Sequence, residues 1–212
     1  RLTPRQQHLK ELAIEHDWQY RAEVDWNTSY LKHFHFFETR PIEYKTNVIN
    51  GAYPALDIHF EISDLTFDEG AFMAKEVYKT TVEVIRLPFE IPAFILEKEG
   101  LFEKVFDRVR AFTGDEDIDF DEFSDFSKKF MLHADDEAAV RQFFQPGLLH
   151  FFEQEDIYHI ESNGEALLIF KYLRLARTEE AAKMLDFAKR LLQQLRVCLN
   201  FYRSDNQHFT NL

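Results

Sequence analysis

Two histidines one residue apart, His33 and His35, lie in a run of aromatic side chains. On a strand they would share a face, as metal-ligand pairs do, but two imidazoles leave a zinc site half built, and no third ligand stands at a recognisable spacing. Ordinary, partly buried histidines are the expectation. Seven carboxylates crowd Asp115 to Asp125, and Asp115-x-Asp117-x-Asp119 has the opening spacing of a calcium loop. Counted from Asp115, however, the sixth residue is Phe120, where the sharp turn needs glycine, and the twelfth is Phe126, where a bidentate Glu should close the cage. The run is expected to be a solvated acidic loop with Ile118, Phe120 and Phe123 dipping into the core. No metal is assigned.

Asp156, His159 and Glu161 have side chains suited to acid–base work around one strand, and a solvated strand face is the preferred reading. Nucleophilic catalysis lacks its sharp-turn Gly-x-Ser-x-Gly, and Cys198 falls in a helical pattern, where a structural role is expected. With only six glycines the chain has no phosphate-cradling loop. No catalytic residue and no cofactor are therefore assigned. One cluster retains ligand chemistry: Trp26, Tyr30, Phe34, Phe36 and Phe37 could line an aromatic pocket, against the plainer expectation that they pack a core.

The elements that would position these residues must come from a chain of 212 residues, 45% hydrophobic, with 23 Phe. That is enough for one well-developed core. Six Gly and six Pro are scattered, with no linker-like stretch, so a single domain over residues 1–201 is expected, followed by a disordered tail at 202–212. The net charge of −13 repels phosphate backbones, and no basic, aromatic-interleaved patch offsets it, so nucleic acid is not an expected partner. A single cysteine permits no intrachain disulfide and fits a reducing compartment, which leaves the Asn27-Thr28-Ser29 triplet without meaning as a glycosylation site. No run approaches the ~18 apolar residues that cross a bilayer, and the chain is read as soluble.

Thr3-Pro4-Arg5-Gln6 reads as a capped helix start, with Leu9, Leu12, Ala13 and His16 on one face. Asp25 to Pro41 is expected to be an aromatic-rich loop with one turn of helix. Period-two patterning then predicts a hairpin of strands Glu43 to Ile49 and Tyr53 to Ile62 turning at Asn50-Gly51, a polar turn from Ser63 to Gly70, and an extended run from Phe72 to Leu87. Pro88 and Pro92 mark Phe89 to Leu96 as an edge or bulge strand. A helix on the stripe Leu101, Val105, Phe106 and Val109 is followed by a strand from Phe126 to His133 and helices around Val140 and after Pro146-Gly147. A second hairpin turns at Asn163-Gly164. From Thr178, the residues Met184, Leu185, Ala188, Leu191, Leu192, Leu195 and Leu199 trace one stripe over ~22 residues, ~33 Å of helix. The order is segregated rather than alternating, so the fold class is α+β, an antiparallel sheet with helices packed on it and a long amphipathic helix last.

The helix running into Trp18, with Asp17 where a glycine would stand, resembles the opening of families of bacterial domains of unknown function. Asn47 to Tyr53, Leu87-Pro88 with Ile91-Pro92-Ala93-Phe94, and Phe126 to Phe130 with Asp135-Asp136 and Gln145-Pro146 are similar to their later landmarks, with Gln145 replacing a threonine. In those families a membrane anchor commonly precedes the domain, and the resemblance carries no catalytic residue with it. Together with an opening Arg and the basic residues Arg1, Arg5 and Lys10, it implies an anchor encoded upstream and a domain on the cytoplasmic side. The functional expectation is a non-enzymatic interaction or accessory domain near a membrane, its partner a protein, or a second copy should the last stripe lie uncovered. The alternative is a small-molecule binder or hydrolase using the aromatic cluster.

Overall fold

The computed structural model describes residues 2–69, 76–98 and 117–209. The predicted helix at Leu101 to Val109 and the acids Asp115 and Glu116 lie outside the described residues. The first helix, α1 (Pro4–Glu15), starts as its sequence dictates: Gln6 donates its backbone N–H to the Thr3 hydroxyl at 3.3 Å, and Thr3 N–H donates to the Gln6 side chain at 2.9 Å. It stops because Asp17 adopts φ 57°, which lets Trp18 N–H reach Ala13 O at 2.8 Å and Asp17 N–H reach Ile14 O at 3.2 Å. This is the left-handed helix stop that glycine usually supplies.

The chain then builds one antiparallel eight-stranded sheet in the order β1-β2-β3-β4-β8-β7-β5-β6. The strands are β1 (Gln19–Arg21), β2 (Ile42–Tyr53), β3 (Ile58–Asp68), β4 (Val77–Arg86), β5 (Phe94–Lys98), β6 (Phe130–His133), β7 (His159–Ser162) and β8 (Ala166–Phe170). One face carries α1, α4 (Glu137–Phe143), α5 (Pro146–Gln154) and the long α6 (Thr178–Phe209), whose stripe Met184 to Leu199 is buried against the sheet. The helix passes Tyr202, where the tail was expected to begin. Across part of the other face runs the aromatic segment, a 3-10 turn (Ser29–His33) and α2 (His35–Glu38), over a second core of Leu65, Phe67, Val82, Ile95, Leu168 and Phe170.

Four expectations are corrected. Asn50-Gly51 is not a turn: β2 continues through it and the chain reverses at residues 54–57, with Asp57 at φ 53°. Gly51 serves close approach instead, since a Cβ there would sit 2.5 Å from the Phe60 ring and 2.7 Å from Trp18. The polar stretch from Ser63 is strand up to Asp68, because Asp64 is buried with partners rather than solvated. β5 is interior, paired with β6 and β7, and the prolines at 88 and 92 precede it, so neither removes a ladder hydrogen bond. Residues Ser124–Lys129 form helix α3 rather than strand, and the expected strand is confined to Phe130–His133; the helix buries Phe126 against the Phe130 ring at the start of β6, 5.2 Å away. The hairpin at Asn163-Gly164 stands as expected, with Gly164 at φ 99° and the Asn163 side chain accepting from Glu165 and Ala166 N–H at 3.1 and 2.9 Å.

Candidate functional site

The aromatic segment crosses the sheet because three buried polar anchors hold it there. Glu161, fully buried on β7, accepts from the backbone N–H groups of His35 and of Phe36, the latter at 3.1 Å, at the start of α2. Arg40 donates to Glu69 at 3.0 and 3.2 Å and to Phe36 O at 2.9 Å. Lys45, with no side-chain exposure, donates to Asn27 O at 2.8 Å, Tyr30 Oη at 3.2 Å and Glu61 at 3.1 Å, with Asp25 also 3.1 Å away. Buried charges of this kind survive only when partnered, and here the partners tie the segment to β2, to β7 and to Glu69 just past the end of β3.

The five aromatic candidates consequently separate. Phe34, Phe36 and Phe37 are at most 1% exposed and belong to the second core, with Phe36 and Phe37 edge-on at 4.8 Å. Trp26 is 74% exposed, its ring 6.4 Å from Tyr44. Tyr30 and Phe34 line an open groove of about 1050 Å³ where the segment leaves the sheet uncovered. Burial, with the neighbouring Glu61 carboxylate adding to it, pushes the Tyr30 hydroxyl pKa well above the usual phenol range.

The groove floor is two rows of cross-strand neighbours. Asn50, Glu61 and Val84 form one, and His59 and Arg86, the latter paired with Ala166, stand in the next. Tyr30 and His33 form one wall and Leu87, Pro88 and Phe89 the other. Sequence reading missed His59 and Arg86, although they alternate with buried neighbours on β3 and β4, because a polar residue on a wet strand face carries no signal of its own.

The histidine pair does not form a ligand pair: His33 ends the 3-10 turn facing the groove, while His35 opens α2, its Nδ1 3.4 Å from Glu38. No cluster of three metal-ligating side chains occurs among the described residues. Asp117 accepts from Leu132 N–H at 2.8 Å, so this member of the acidic run braces β6. The solvated reading of the β7 face is overturned. His159 and Glu161 are at most 1% exposed, with His159 Nε2 3.7 Å from Glu161 and Nδ1 3.8 Å from Glu97. Burial pushes the His159 pKa below its ordinary value. Cys198 is buried, and burial raises its thiol pKa, as a structural role requires.

Two further features had no sequence signal strong enough to find them. Glu83, on β4 under α6, has no exposure and accepts from the Tyr53 hydroxyl at 2.6 Å. A second concavity of about 520 Å³ at the start of α6 holds Lys171, Arg174, Arg177 and Lys183. It is largely self-neutralised by Lys171–Asp156 at 2.9 Å, Arg174–Glu180 at 2.8 Å and Arg177–Glu180 at 3.1 Å.

No helix among the described residues is long and apolar enough to cross a membrane. No family model and no curated protein matches the chain. Among solved structures, the chain is similar to the crystal structure of the mycobacterial trehalose monomycolate transport factor A, TtfA, at a TM-score of 0.61 and 14% sequence identity, covering 92% of this chain and 94% of that one. At that identity the likeness is one of fold, and it extends over nearly the whole of both chains.

Proposed function

We propose that this chain is a non-enzymatic accessory domain that works beside the cytoplasmic face of a membrane and acts through surface contacts in the transport of an amphiphile. The observation that carries this reading is the fold shared with a transport factor over 92% of the chain. A second supports it: the groups with acid–base potential on β7, His159 and Glu161, lie beneath the aromatic segment, and Glu161 caps α2. Trp26 and Tyr44, 74% and 51% exposed, offer the rigid aromatic surface that protein contacts favour.

Cells producing the native gene, fractionated by high-speed centrifugation, should yield the protein with the membranes, and crosslinking should give one discrete adduct with an integral membrane protein. Trp26→Ser should remove the adduct at an unchanged melting temperature. Recovery wholly in the supernatant with no adduct overturns the proposal.

A further inference from the structure

We propose that the open groove on the sheet binds the polyhydroxylated head group of a neutral amphiphile, with the apolar chain lying along Tyr30, Pro88 and Phe89. Charge excludes other ligand classes first. Arg86 on the floor is set against Glu90 and Glu165 at the rim, and Glu61 is matched by Lys45 at 3.1 Å, so the groove has no cationic excess for phosphates and no acidic cluster for a polycation. Hydroxyls, which both donate and accept, suit a surface of mixed sign.

The floor has the matching chemistry. Tyr30 and Lys45 both donate to Glu61 Oε1, which fixes the carboxylate while Oε2 makes no hydrogen bond to any described residue. The side chains of Asn50, His59 and Arg86 make none either, and they stand in adjacent register across three strands. The Asn50 amide and the Arg86 guanidinium each present two polar atoms in one plane, and the Glu61 carboxylate adds the single acceptor Oε2, a set that neighbouring hydroxyls on a ring can accept from and donate to. These groups sit on paired strands, so little order is lost on binding.

Size selects an amphiphile over a free sugar. Ligand sites commonly enclose ~300–1,000 Å³, and this groove, at about 1050 Å³, has room beyond one or two sugar rings. The exposed Pro88 and the half-buried Phe89 supply an apolar wall for what extends past the head group, with Leu87 buried in the core behind them.

The test uses the full chain with dodecyl maltoside below its micelle concentration, maltose, and sodium laurate, followed by calorimetry and ligand-observed NMR. The expected result is one-to-one binding of dodecyl maltoside, competition by excess maltose, and at least tenfold weakening in Asn50→Ala/Arg86→Ala, whose half-buried and exposed side chains make no hydrogen bond to any described residue, so that the melting temperature should stay unchanged. If that variant loses stability, Pro88→Asp on the opposite wall serves instead, and the same tenfold loss is expected. Absence of binding, binding indifferent to these substitutions, or laurate binding as tightly as the maltoside with no effect of maltose overturns the inference. The inference rests on the amphiphile-transport reading, but the two fail separately: a chain recovered with membranes that ignores dodecyl maltoside keeps the accessory role and loses this site.

Discussion

Arg5 and Asp64, 59 positions apart, form a two-pronged ion pair, Nε to Oδ2 at 2.8 Å and Nη2 to Oδ1 at 2.7 Å. Asp64 is 4% exposed and also accepts from Asn47 and Thr81 at 2.8 and 2.7 Å, while Arg5 reaches the Ala176 carbonyl ahead of α6. One guanidinium thus joins the first helix, the sheet and the approach to the last helix. It also removes Arg5 from the basic cluster that suggested lipid contact in the sequence.

Arg5→Met should lower unfolding free energy by about 2–3 kcal/mol, because it strands a buried carboxylate, tempered by the partial exposure of the arginine. Lys10→Met, on the exposed side of the same helix, should change it by less than about 0.5 kcal/mol. Urea unfolding of both variants makes the comparison, and equal effects would refute the clamp.

Glu83 sets a pH dependence. Burial, partly offset by the Tyr53 hydrogen bond, raises its pKa to about 8 from an ordinary 4.5. A raised folded pKa means that the fold favours the protonated form. Its contribution is therefore complete below pH 4.5 and falls as pH rises toward 8, by up to about 1.4 kcal/mol per unit. Glu83→Gln, permanently neutral, should gain on the parent protein across that window. Parallel stability–pH curves for the two would show that the carboxyl does not titrate there.

Glycine positions separate space from flexibility. Gly51→Ala must displace the Phe60 and Trp18 rings, which a Cβ would approach to 2.5 and 2.7 Å, and should cost about 1–3 kcal/mol. Gly147→Ala meets nothing nearer than 4.0 Å in the first turn of α5 and should be neutral or stabilising by about 0.4–1 kcal/mol. Thermal melts of the pair decide, and a reversed order would mean that the β2 packing is misread.

The α6 stripe allows a similar contrast. Leu192, at 0% exposure, becomes a buried unpaired charge in Leu192→Asp, and a loss of more than about 4 kcal/mol is expected. Val197, 51% exposed, should accept Asp with little change. If Leu192→Asp kept its melting temperature and lost self-association on a sizing column, the stripe would be an interface between copies.

Local and periodic information was sufficient for some elements. The capping box at Thr3, the hairpin at Asn163-Gly164 and the Met184 to Leu199 stripe depend on neighbours within a few residues or one helical face, so the sequence alone determined them, and with them the antiparallel α+β class. What the tertiary structure decided involves partners distant in the chain. Whether Gly51 turns or continues depends on two rings packed over it, and whether Asp64 is solvated or buried depends on Arg5. Which aromatics form core and which form groove depends on where Lys45, Arg40 and Glu161 fasten the segment to the sheet. A polar residue's type gives no sign of such a partner, because the free energy of burying it is set by the group it meets, and that group is chosen by the fold.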